Sequence, residues 1–458
     1  MRKVSVLMAL LITGYILGIW NFLILPKYFI VFGLKGLVVS LVPVLVAMFL
    51  IYSEAESTKR TRYLIYELFF KVARTPAFIF TLLMFLLIML GLTAYLSSWG
   101  LIYIFGWDTS YVTLLAILTL LLTVLLLLLA KGRVLEFISG ISVLMIIFTL
   151  ASAYLVREQA LKTVTSEQAK FYMQQAVSAI TSFGGNFTVQ GLTMLTASVI
   201  IAFGLGAGVY YVIGSFSPED LDFKRVLLGV FFLQLILSFA AAYTMAYSMG
   251  PAFQAFEKSV HNINISPEES LKLYTQFQAL QSYATNSTTP VQDSIKVFFT
   301  IPRILKGVPG ATKIIYLLVL SLYFAGLTTL IVLMEMGSQM LSEVMQLGRK
   351  SGLTVVTLIA IVIAGAMALQ SVRVMFLFVP FSVAALVSAL EAYPLFSSEL
   401  TANKGLVGVS IGFLILVGIG TLYYALLNTS TAAKLGAIIG LVLFVPAFMN
   451  SVLLKSRR

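Results

Sequence analysis

Thr328 and Thr329 stand side by side in the apolar run YFAGLTTLIVLMEM. Adjacent hydroxyls suit an alkali cation, which takes several hard oxygens. Inside a membrane the readiest further supply is backbone carbonyl freed where a helix unwinds. Gly326 beside them lets another backbone approach. The hydroxyls have an ordinary alternative, because threonine in membrane helices also bonds back to its own helix carbonyls. Two other stretches offer places for a helix to unwind. AFGLGAGVYY carries Gly204, Gly206 and Gly208, and TGYILGIWNFLILP carries Gly14, Gly18, Asn21 and Pro26. A glycine inside a helix costs about 0.5–1 kcal/mol relative to alanine. Close GxxxG packing accounts for one such helix. The pair, with Asn21 among apolar neighbours, is better accounted for by two breaks. His261 is the only histidine and cysteine is absent, which argues against disulfides, thiol chemistry, Cys/His metal sites and histidine acid–base catalysis.

The elements that must position these residues are membrane helices. Of the 458 residues, 60% are hydrophobic and 10% charged, and the mean hydropathy is +1.01, far from any soluble chain of this length. The apolar segments suit helices crossing a hydrocarbon core of about 30 Å and not barrel strands of about ten residues. Twelve are expected, near 5–31, 36–58, 76–105, 109–130, 134–156, 191–216, 223–250, 311–338, 352–371, 373–392, 404–427 and 432–454. The opening MRKVSVLMALLITGYILG imitates a signal peptide but lacks a small-x-small cleavage site before the second span, and reads as an uncleaved first helix.

The net charge of +12 is scattered over short loops, which argues against a nucleic-acid partner. Arg2, Lys3, Lys59, Arg60, Arg62, Lys71, Arg74, Lys131, Arg133, Lys224, Arg225, Arg349, Lys350, Lys455, Arg457 and Arg458 all fall on one side of a twelve-span arrangement. That places both termini in the cytoplasm of a multi-pass protein of the cell membrane. Outside lie two polar insertions. Residues 157–190 hold a helix-like stretch ending at GGN. Residues 251–310 form a lid whose helix is announced by Ser266, Pro267 and Glu269. On the inner side, SPEDLDFKR from Ser217 repeats that capping pattern.

Broken spans one and six occupy corresponding positions in two five-helix halves, the pattern that points to the binding site of an inverted-repeat transporter. The expected class is an all-α polytopic membrane protein with about twelve transmembrane helices and a 5+5 inverted-repeat core in which helices one and six are broken. Residues 1–156 form the first repeat, 157–190 an outer loop, 191–392 the second repeat, and 393–458 two accessory helices.

The run GYILGIWNFLILPKYFIVFGLKG…VPVLVAMFLIYSEAE resembles the start of the neurotransmitter:sodium symporter family, with Asn21, Pro26 and Glu56 on that family's Asn, Pro and Glu. LTAYLSSWG, FGLGAGVYYVIGSF, VFFTIPRIL and FAGLTTLIVLM continue it over roughly ten helices. The resemblance implies a sodium site between helices one and eight, made by the carbonyls of Gly14, Leu17 and Ala325 and the hydroxyls of Thr328 and Thr329. It implies a second, weaker sodium site from the carbonyl of Ile16, Asn21 and Gln234, because the helix-six threonine of the family is Ala202 here. The implied substrate site comprises Gly18, Ile19, Trp20, Thr93, Ile201, Gly204, Ala207 and Leu333. Thr93 replaces a tyrosine that binds a substrate carboxylate, and Trp20 replaces a glycine. The gate arginine of helix one is Ile24, which leaves Arg373 without an obvious carboxylate partner. Ser238 matches chloride-dependent relatives, but Leu41 and Ala202 replace chloride's other ligands, so chloride is disfavoured.

Glu56 has two readings: a solvated charge beside Lys59 and Arg60, or, by the resemblance, an acceptor for N–H groups exposed where helix six unwinds around Gly204 to Gly208. Glu335 is a further candidate for an intramembrane polar contact. The functional expectation is a sodium symporter for an amino acid or related small zwitterion. The alternative is a non-transporting or regulatory protein on the same scaffold. An enzyme is not supported, because the spans show no paired carboxylates, metal cluster or nucleophile–base pair. A channel lacks the repeated polar lining it would require.

Overall fold

The structure is a computed structural model, and it describes residues 3–129, 133–185, 187–262, 264–287, 291–308, 310–397, 400 and 403–451, with no side chains over 291–294. Arg2, Lys131, Lys455, Arg457 and Arg458, used above for topology, and Asn186 of the GGN run lie outside the described residues.

The architecture is all-α, as expected. Among the described residues, ten helices are long and apolar enough to cross a membrane, and two shorter apolar ones, Lys3–Ile16 and Val189–Ala202, supply halves of the broken spans. Packing and not apolarity separates central from peripheral helices, because a face turned to lipid is apolar as well. Phe78–Phe105 has 89% of its most apolar window buried, against 28% for Lys404–Leu426 at the periphery. Span eight, Thr312–Met345, is the central post. It packs on span five (Val134–Thr163), span three (Phe78–Trp99), span nine (Arg349–Ala366) and both halves of span one. Lys404–Leu426 and Thr431–Val442 lean on span ten, Gln370–Ser397.

Span one is two helices, Lys3–Ile16 and Ile19–Ile24, and Pro26–Thr61 follows with a kink at Gly33. Span six is Val189–Ala202 and Val209–Phe216. The outer elements differ from the expected boundaries. Span five continues to Thr163, and a separate helix, Glu167–Thr181, is capped by Ser166. Span seven runs from Phe223 to Val260 through Pro251, so the first ten residues expected in the lid belong to it. The rest of the lid is Pro267–Thr285, capped by Ser266 through the Glu269 N–H at 3.2 Å, and Val291–Leu305. On the inner side the cap is not Ser217, whose hydroxyl donates to the Ile213 carbonyl at 2.7 Å, but Asp222, which accepts from the Lys224 and Arg225 N–H groups.

Candidate functional site

In span one the helix stops at Ile16, and Gly18 takes an extended conformation (φ −66°, ψ −174°) before the chain turns helical again at Ile19. A side chain at Gly18 would strike the Thr329 hydroxyl, and its Cβ would lie 2.9 Å from the Tyr15 carbonyl. In span six Gly204, Gly206 and Gly208 have φ of +67°, +91° and +70°, a region that residues with a Cβ enter only at a cost. The glycine triplet therefore unwinds the helix, and close packing is not what it is for. The two breaks face each other, with the Tyr15 hydroxyl donating to the Gly204 carbonyl at 3.2 Å.

Unwinding bares backbone N–H groups in a medium without water, and each needs an acceptor. Glu391 of span ten provides it. Its Oε1 accepts from the Gly208 N–H at 2.6 Å, its Oε2 accepts from the Gly206 N–H, and its own carbonyl accepts from the Tyr211 hydroxyl at 2.9 Å. Glu56 does not take this part. It pairs with Arg60 at 2.9 Å, one helical turn on. Residues two apart on a helix point to nearly opposite faces, and the carboxyl facing the core is Glu54, fully buried and near enough to Glu391 for the two to interact. The spans thus do contain two interacting carboxyl groups, Glu54 and Glu391, contrary to expectation. Glu391 was overlooked although a glutamate within the apolar run SVAALVSALEAYPLF is itself a signal.

Between spans one and eight, hard oxygens converge. The Thr328 hydroxyl donates to the Gly14 carbonyl at 3.0 Å and is 3.0 Å from the Ala325 carbonyl, which the Thr329 hydroxyl reaches at 2.9 Å. Leu17 is fully buried at the same break. The hydroxyls thus bond back within their own helix, the ordinary alternative, and Thr328 also crosses to span one. A hydroxyl that donates to a neutral carbonyl can turn its lone pairs to a cation with no other rearrangement, so the donor set fits an alkali ion.

The second candidate set is different. Gln234 does reach Asn21, but as a donor: its amide nitrogen lies 3.1 Å from Asn21 Oδ1, and the Ser238 hydroxyl lies 3.4 Å from the same oxygen. The oxygen that would serve a cation already accepts from two donors, and the Asn21 amide nitrogen is buried without an acceptor among the described residues. Ile16 ends its helix nearby with no exposed surface.

The central cavity is lined by Tyr15, Trp20, Phe85, Met89, Ile201, Ala202, Gly204, Leu205, Ala207, Thr329 and Leu333, and holds about 10 Å³. That is the space of a single water. Trp20 fills it: its indole N–H donates to the Thr93 hydroxyl at 2.9 Å and its ring sits edge-on to Phe381 at 6.5 Å. Thr93 thus stands behind Trp20 and does not line the cavity.

On the outer side Arg373 meets aromatic rings. Its Nη1 donates to the Tyr95 hydroxyl at 2.5 Å, and its guanidinium lies 5.6 Å and 5.4 Å from the Tyr95 and Trp99 ring centres. Trp99 stacks on Phe299 of the lid helix at 5.3 Å. A cation–π stack thus stands where a two-sided ion pair was sought. On the inner side Lys3 pairs with Glu136 at 2.5 Å, and the Ser5 hydroxyl donates to Asp220 at 2.6 Å. Glu335 accepts both Nε and Nη2 of Arg349, at 3.0 and 2.8 Å, on the rim of an inner cavity of about 230 Å³.

No protein-family model and no curated protein matches the chain. Among solved structures, that of MhsT in complex with L-phenylalanine has the same fold, with a TM-score of 0.61 over 91% of this chain and 98% of that one, at 13% identity. At so low an identity the likeness speaks for the fold.

Proposed function

We propose that the protein is a sodium-coupled secondary transporter of the neurotransmitter:sodium symporter type, which takes up an amino acid or related small zwitterion across the cell membrane by alternating access. The observation that carries this reading is the 3.0 Å contact of the span-one carbonyl of Gly14 with the Thr328 hydroxyl, which, with the Thr329 hydroxyl, also reaches the span-eight carbonyl of Ala325 at 2.9–3.0 Å. Sodium held there by Gly14, Leu17, Ala325, Thr328 and Thr329 ties the mobile half of span one to the central post. One coupled charge moving inward gains about 2.3 kcal/mol per 100 mV of membrane potential, enough for modest uphill uptake. The repeats are residues 1–156 and 191–392, and their broken helices form the midplane site. That MhsT was solved with an amino acid bound supports the substrate class.

The Asn21–Gln234 network makes a single coupled sodium the natural stoichiometry, because the Gln234 amide and the Ser238 hydroxyl already donate to the second site's oxygen. Trp20 sets the condition for binding: its indole must leave the Thr93 hydroxyl before a zwitterion can enter. The second reading, a non-transporting protein on the same scaffold, draws on that Trp20–Thr93 bond and the 10 Å³ cavity. Uptake of labelled amino acids into vesicles under an inward sodium gradient separates the two. Gradient-dependent accumulation is the transporter's result, and amino-acid binding without flux is the other's.

A further inference from the structure

Two carboxyl groups are buried at the span-six turn, and only one of them is provided for. Glu391 has a backbone N–H aimed at each oxygen, from Gly206 and Gly208. Glu54 arrives from the inner end of span two with no exposed surface, and neither of its oxygens has a hydrogen-bond partner among the described residues. The two groups interact electrostatically. The ionisable groups acting on the pair from neighbouring elements are tyrosines, Tyr15 of span one and Tyr210 and Tyr211 of span six. Their hydroxyls are committed to the carbonyls of Gly204, Phe203 and Glu391. The nearby charges of span two turn elsewhere: Glu56 and Arg60 pair with each other, and Lys59 donates to the Leu221 carbonyl at 2.6 Å.

Two neighbouring anions cannot both be held in such a place. The N–H donors decide which keeps its charge, because they complement an anion on Glu391 and leave Glu54 with nothing. We propose that Glu54 and Glu391 form a proton-binding site, in which Glu54 holds one proton while the glycine turn of span six is closed over it. The turn is also the part of span six that faces the central cavity, through Gly204, Leu205 and Ala207. Opening that exposes Glu54 to water releases the proton, so the closed form is favoured at low pH and the open form as pH rises. A one-proton linkage changes the opening equilibrium by at most tenfold per pH unit.

The test uses the purified full-length protein in lipid and does not depend on which molecule it carries, so its failure is separate from failure of the transport reading. Infrared spectroscopy of the wild type at neutral pH should show the carbonyl stretch of a buried carboxylic acid, displaced on deuteration, absent in Glu54→Gln and shifted in Glu54→Asp. Because the chain has no cysteine, a lone cysteine placed at Ala202, on the cavity wall, reports opening through its labelling rate. Divided by the rate in a Glu54→Gln background, that rate should climb with pH, approaching tenfold per unit where the proton leaves. No acid band in the wild type would mean that Glu54 is a hydrated anion, and would overturn the proposal. So would a band that survives Glu54→Gln, or a labelling ratio flat across pH.

Discussion

Replacing Thr328 and Thr329 with alanine removes two of the five oxygens assigned to sodium and leaves the backbone carbonyls in place. The size of the effect follows from the geometry. In the ion-free form each hydroxyl makes neutral hydrogen bonds of 2.9–3.0 Å, worth about 1 kcal/mol each, so some stability is lost even without sodium. Facing a cation, each is worth about 1.5–3 kcal/mol, so losing one weakens sodium binding roughly 10- to 150-fold. At about 100 times the wild-type Kd, sodium adds about 2.7 kcal/mol to the folded state. That falls to about 1.4 kcal/mol after a tenfold loss of affinity and about 0.4 kcal/mol after a hundredfold loss. The assay is thermal unfolding in sodium against choline at equal ionic strength, read as the difference between the salts so that the ion-free loss cancels. Wild type should show a sodium-specific stabilisation, each single alanine variant should keep half of it or less, and the double variant none. Thr328→Ser and Thr329→Ser, which keep the oxygen, should retain most of it. A double variant as responsive to sodium as wild type would refute the assignment.

Other outcomes follow from the same contacts. Glu391→Gln should fold with a loss of about 1.5–3 kcal/mol, the scale of hydrogen bonds to a charged acceptor, whereas Glu391→Leu strands the N–H groups of Gly206 and Gly208 and should abolish recovery of folded protein; equal yields of the two would contradict the capping role. Glu56→Ala, at an outward-facing Arg60 pair, should change thermal stability by less than about 1 kcal/mol. Gly206→Ala forces a Cβ into φ +91° and should destabilise by about 1–3 kcal/mol in chemical or thermal unfolding. Trp20→Ala should cost about 3–5 kcal/mol as a core truncation and, by emptying the central cavity, should let a small amino acid raise the unfolding temperature further than it does in wild type.

Both breaks were legible because an unwound helix needs residues of a special kind, and glycines at 204, 206 and 208 have few other reasons to alternate within an apolar span. The meeting of Gly14, Ala325, Thr328 and Thr329 was legible through the family pattern. The acceptor for the bare N–H groups was not. Glu54 and Glu56 are two residues apart near a helix end, and sequence alone does not say which faces inward, while Glu391 lies 183–185 residues beyond the glycines whose N–H groups it accepts, brought in only by the packing of span ten. The inner cap was misread for a related reason: Ser217 and Asp222 both have cap chemistry, and only the backbone geometry after Phe216 selects the second. Arg373 sought a carboxylate in the sequence and found Tyr95 and Trp99, because a guanidinium is also attracted to a ring face, which no charge pattern records.

The central claim is that sodium and a small zwitterion cross together through the paired breaks. Its most direct test is the current produced when amino acids are applied to the reconstituted protein on a supported membrane, in sodium and in potassium. The account predicts an inward charge movement in sodium with at least one amino acid, absent in potassium and absent in the Thr328→Ala/Thr329→Ala variant. Currents of equal size in the two salts, or none with any amino acid in sodium, would contradict it.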